Sequence, residues 1–230
     1  MRLRKSLALS VMLAIVVLPM AVVLTACGRN NNPPPQPLTM VQARTQFATS
    51  TNWSVSVFIE DTSNDTFERD GNRFRESIVD LDNQGEKVFA SENIFAFSPG
   101  EDIKTSFERD FNIVEDRWNG WSSNENIMAS DFDFGAWTVE RNGVSNWMNN
   151  ILVSANFAKV GNTYTLIEPV TLVDQGPIQI ILHSATITMT ATGFTSNMQI
   201  EEIWGGSPWV SDRTVALQFG DVSISLPSVD

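Results

Sequence analysis

The chain has 230 residues, 42% of them aliphatic, aromatic or Cys and 18% charged, so one packed domain of ordinary size is affordable and wholesale disorder is excluded. Lys and Arg number 15 against 27 Asp and Glu, a net charge of −12 that argues against wrapping nucleic acid, which requires cations to displace phosphate counterions. One His, one Cys and one Tyr leave little for the common catalytic constellations.

The first segment reads as an address. Arg2, Arg4 and Lys5 open it, and Ser6 to Leu24 follows without a charge. Leu24-Thr25-Ala26-Cys27-Gly28 then ends it in small residues. A basic start, an apolar middle and a small-residue end describe a secretory signal. The tetrapeptide Leu24-Thr25-Ala26-Cys27 resembles the bacterial lipobox in spacing and context, and it uses the only Cys of the chain. The resemblance implies diacylglycerol transfer to the Cys27 thiol, cleavage before Cys27 and acylation of the new amino terminus, palmitate being a typical chain. Residues 1–26 are then a lipoprotein signal peptide.

An uncleaved helix is the alternative, since residues 6–24 are just long enough to span a bilayer. Pro19 and the placement of Cys27 favour processing. Either way the domain is tethered to a cell membrane on its extracytoplasmic face, whether periplasm or outer surface. Two or three acyl chains anchor stably where one does not. The mature chain keeps no free thiol for a disulfide, so its fold rests on packing.

Loss of three cations leaves 12 bases against 27 acids, or −15. Residues 60–140 alone hold 20 acids and 7 bases, a solvated surface that keeps a tethered protein soluble. Residues 27–37 form the lipidated Cys and a tether; Gly28 to Pro37 reads GRNNNPPPQP, extended polyproline-like chain at roughly 3 Å per residue.

The domain, 38–230, is expected to be mostly strand. Thr39 caps a short helix through Met40, Ala43 and Phe47. From Trp53 the period becomes two, with Trp53, Val55, Val57 and Ile59 on one face. Asp70-Gly71-Asn72 joins Thr66 to Arg69 with Arg73 to Leu81 as a hairpin. Lys87 to Ser91 and Asn93 to Ser98 are two further runs. Trp118-Asn119-Gly120-Trp121 predicts a second hairpin, with the two Trp rings opposite each other across a two-residue loop. Val144, Trp147, Met148, Ile151 and Leu152 fall at helical spacing, a helix of about three turns. Strands then return at Thr163 to Ile167, Ile178 to His183, Thr186 to Thr192, Met198 to Trp204, Thr214 to Phe219 and Val222 to Leu226.

About ten strands and two or three helices give a mainly β, α+β fold: a curled antiparallel sheet with helices on its concave side. At this point the domain resembles the lipoprotein carriers of the LolA, LolB and LppX type. The likeness rests on the helix before Trp53, on Phe157 to Leu166 (FAKVGNTYTL) and on Val215 to Pro227 (VALQFGDVSISLP). It implies an incomplete β-barrel capped by helices, and it transfers no functional residue.

The search for catalytic and metal chemistry returns structural readings. His183 sits in an apolar strand, and one His with a lipidated Cys makes no zinc set. Asp80-Leu81-Asp82-Asn83-Gln84-Gly85 imitates a calcium loop, but its twelfth position is Ser91, not Glu. Asp131 to Gly135 contains Asp-Phe-Gly with no accompanying catalytic loop. No nucleophile elbow, P-loop or dinucleotide fingerprint occurs. The protein is therefore expected not to be an enzyme and to carry no cofactor and no metal.

What remains is apolar: seven Trp and 14 Phe against one Tyr. The expected function is binding of a lipid or acyl chain in a half-barrel cleft, with Val55, Val57 and Ile59 as floor and Trp147, Met148, Ile151 and Leu152 as lid. The alternative is a surface interaction or glycan-binding lipoprotein with no internal ligand, using Trp204 and Trp209 around Gly205-Gly206-Ser207-Pro208. A third reading, an envelope hydrolase with paired carboxylates, has no spacing to identify its acids. The expected partners are the membrane through the N-terminal lipid and an apolar ligand, but no nucleic acid.

Overall fold

The computed structural model describes residues 34–59, 62–98, 103–127 and 150–229. The expected signal peptide, Cys27, most of the tether, Trp147 and Met148 lie outside the described residues. The chain divides into Met1–Pro34 and Pro35–Asp230, and the second unit is the subject here.

The helix α1, Met40–Thr49, starts as its sequence requires. Thr39 accepts from the Gln42 backbone N–H, and the Gln42 side chain caps Thr39 in return, satisfying two orphan donors. Met40, Ala43 and Phe47 form its buried stripe. The backbone N–H of Met40 also donates to the hydroxyl of Tyr164, the only Tyr of the chain, at 3.4 Å.

Among the described residues, thirteen strands follow. They are β1 (Asn52–Ile59), β2 (Ser63–Asp70), β3 (Arg73–Leu81), β4 (Lys87–Ser98), β5 (Ile103–Asn112), β6 (Arg117–Trp118) and β7 (Ser122–Ile127). After a three-residue 3-10 turn, Ser154–Asn156, come β8 (Phe157–Val160), β9 (Thr163–Leu166), β10 (Val170–Gln175), β11 (Ile178–Met189), β12 (Gly193–Trp204) and β13 (Ser207–Phe219). All pairings are antiparallel, in one sheet ordered β6-β5-β4-β3-β2-β1-β13-β12-β11-β9-β8, with β7 also on β5 and β10 also on β11. The mainly β expectation holds.

Several expectations need correction. Among the described residues there is one α-helix with both ends defined, not two or three. Asn150 and Ile151 are helical, but the remainder of the expected Val144 helix lies outside the described residues. Ser154–Asn156 is too short to bury a stripe, and alternating apolar residues send most of the remaining described chain into strands. The sheet has 13 strands rather than about ten: β5, β6, β7, β8 and β10 are added to the expected runs, while two pairs of expected runs merge into β4 and β11.

Lys87–Ser98 is one strand, its polar middle tolerated because Glu92 is paired across to Arg109. Likewise, Ile178–Met189 is one strand with a bulge beside His183, which re-aims the side chain. The expected Trp118–Trp121 hairpin does not form: β6 and β7 both pair with β5. Val222 to Leu226 makes no ladder. It is a tail whose backbone bonds go to side chains of Asn52, Arg73 and Asp70.

The two sheet faces differ. One, the helix face, carries a continuous apolar core reaching from Phe95 on β4 to Phe157 on β8, with Met40, Ala43 and Phe47 of α1 in it. Trp53 sits at its centre, 5.1 Å from Phe47 and 6.3 Å from Phe74 between ring centroids. Its indole N–H is buried without a partner. The opposite face has a small cluster of Ile94, Phe107 and Ile224 with Trp121 and Val222.

Candidate functional site

The site-bearing region is the helix face. Strand alternation places Val55, Val57 and Ile59 on it, and all three are buried there. Ile151 and Leu152 are fully buried in the same core. Two halves of the expected floor and lid are thus brought into one cluster, while Trp147 and Met148 lie outside the described residues.

A groove of about 650 Å³ runs between the outer side of α1 and the segment after Ile151. Val41, Arg44, Thr45, Ala48 and Thr49 line one wall, and Leu152, Val153, Ser154 and Ala155 the other. Its size is that of a small-molecule site. Val55, Val57, Ile59 and Ile151 do not line it. Apolar contact with anything in the groove falls to Val41, Ala48 and Leu152.

Beyond Val57 the helix face turns polar. Counting back along β13 by twos from Phe219, Leu217 and Val215 arrives at Arg213, Ser211 and Trp209. Arg213, only 8% exposed, donates from Nη2 to Glu202 Oε1 at 2.8 Å and from Nε to Ser211 Oγ at 3.0 Å. The guanidinium carbon lies 5.5 Å from the Trp209 ring centroid. Across β1, Ser63 and Asp65 share the face. Burial pushes the Asp65 carboxyl above its ordinary range, helped by the nearby Asp80. Hydrogen bonds from Val79 N–H and Ser63, with the charge of Arg213, oppose that rise.

This polar cluster was missed from sequence. Its signal was present: charged residues in inward slots of otherwise apolar alternation.

Trp204 and Trp209 are 56% and 42% exposed. His183 meets Glu201 across the β11–β12 pair at 2.7 Å, a contact between neighbouring strands. Among the described residues, no cluster of three or more His, Cys, Asp or Glu is arranged to hold a metal. The Asp82 side chain accepts from the backbone of Gln84 and Glu86, which makes the calcium-like stretch a hairpin turn. The chain matches no protein-family model and none of the curated protein sequences.

Proposed function

We propose that the chain is a lipoprotein, anchored through acyl groups on Cys27, whose domain lies on the extracytoplasmic side of a membrane and binds a single lipid or acyl chain beside α1. The groove between α1 and residues 152–155 carries this reading. Its volume suits one alkyl chain, and Val41, Ala48 and Leu152 offer apolar contact. Arg44 supplies a cation at the wall that suits an acidic head group. Binding there needs no nucleophile, in keeping with a sequence that offers no catalytic set.

The width of the sheet fits the same reading. Strands spaced about 4.8 Å apart make an eleven-strand path roughly 50 Å wide. The ten-residue α1 is about 15 Å long. One such helix serves a core reaching from β4 to β8 if the sheet closes around it as an incomplete barrel.

Two measurements test the proposal. Mass spectrometry of the amino-terminal peptide should find diacylglyceryl-modified Cys27, and Cys27→Ala should release the protein from membranes. Residues 28–230, exported behind a signal without a lipobox, should yield about one lipid per protein on organic extraction. The same preparation should protect a fluorescent fatty acid from water. An empty extract together with an unprotected fluorophore would sink the ligand.

A further inference from the structure

Trp204 and Trp209 stand where the helix face ends. On the β12–β13 hairpin Trp204 pairs with Ser207 and Glu202 with Trp209, which puts all four side chains on the face shared with Met198 and Arg213. The two residues occupy diagonal positions, about 7–8 Å apart along the backbone and somewhat less at Cβ. Neither is buried, although both lie on the face that elsewhere packs the core. Glu202 lies between them, and its Oε1 is held by Arg213. Among the described residues its Oε2 has no partner.

We propose that this tip is a carbohydrate-binding site for a neutral oligosaccharide. Pyranose rings present faces of weakly positive C–H groups, which pack on the negative face of an indole. Two rings at this diagonal spacing span adjacent sugar units. A carboxylate fixed between them accepts sugar hydroxyls, and its fixation by Arg213 removes the entropy cost of ordering it. The charge selects against anionic saccharides: Glu202 adjoins the rings, Arg213, the one buried cation among the described residues, is already paired with it, and the chain carries −12.

The tip lies at the far end of β11 from the point where the chain enters the domain. Leu38, where the chain enters the domain, bonds to Thr190 just past the end of β11. Ile178, at the other end of that strand, pairs with Trp204. Twelve residues of strand separate the two ends by roughly 35–40 Å. The site is independent of the α1 groove, so failure of either leaves the other standing.

The test uses the full chain in detergent micelles with ¹⁵N-labelled Trp. Indole signals of Trp204 and Trp209 are assigned with Trp204→Phe and Trp209→Phe. Cellohexaose and chitohexaose serve as neutral probes, with a polyuronate hexamer and phosphatidylcholine vesicles as comparisons. At least one neutral hexasaccharide should shift those two signals. Trp204→Ala and Trp209→Ala should each weaken binding about tenfold or more, and Glu202→Gln by a few-fold. Retained thermal unfolding in the Ala variants establishes that the loss is local. The proposal is overturned if neither signal moves with either neutral probe, if the shifts survive both Ala substitutions, or if the polyuronate or the vesicles move them more strongly.

Discussion

The two faces of the sheet are stabilised by different means. The helix face is sealed by aromatic and aliphatic packing around α1, with Trp53, Phe74 and Ile200 among its deepest side chains. The opposite face relies on a ladder of charges and a strap. Glu68 pairs with Arg75, Arg75 reaches Glu92 at 3.9 Å, and Glu92 takes a close contact from Arg109. Arg109 then lies 4.6 Å from the Trp118 ring and 4.4 Å from the Trp121 ring. The tail crosses the same face, with Asn52 bonding both backbone groups of Val222 and Arg73 holding the Ile224 carbonyl at 2.6 Å. Burial scales with area, whereas partly exposed ion pairs contribute little each. The comparison teaches that one face sets the stability and the other sets which loops and tails lie where.

Substitutions separate the two contributions. Trp53→Ala should cost about 3–5 kcal/mol in denaturant unfolding, as large-to-small changes in a packed core do. Trp53→Phe should cost much less, because it also removes a buried N–H that has no acceptor. Ending the chain after Gly220 should cost about 2–3 kcal/mol, from the lost burial of Ile224 and newly wetted Ile94 and Phe107. Arg109→Ala should cost about 1–2 kcal/mol and free the Trp118 and Trp121 indoles, read as a change in near-ultraviolet dichroism.

The smallest effect is the pH response of Asp65. Its folded carboxyl holds its proton more tightly than the unfolded one. That contribution is present below the ordinary carboxyl range and is lost as pH rises through the folded value. Asp65→Asn should therefore gain stability over the parent as pH rises from about 3.5 to 7, measured by thermal unfolding. A difference that stays flat across that range would remove the assigned cause.

The local features were legible in sequence. Thr39 with Gln42 and the stripe Met40, Ala43 and Phe47 mark α1 in the sequence. Asp70-Gly71-Asn72 specifies the β2–β3 turn, where Gly71 takes φ +59°. Trp118-Asn119-Gly120-Trp121 misleads because the turn signal is local, whereas pairing of both flanks with β5 is not. Trp118 packs edge-on against Phe111 instead. Glu92 and His183 interrupt apolar runs and so appear to end strands, yet partners on the next strand, Arg109 and Glu201, let both strands continue. The α1 groove escapes the sequence altogether, since it joins residues more than a hundred positions apart.

β1 and β13 are neighbours, and Trp53 faces Phe219, 166 positions later. No amino-terminal portion of the domain can therefore reach its final arrangement by itself. The strand that completes the centre of the sheet is the last one made, and chain closure over such a separation is slow. Under the export route proposed above, that delay would leave the molecule pliable while it threads a translocation channel and lock it once its carboxyl end has passed.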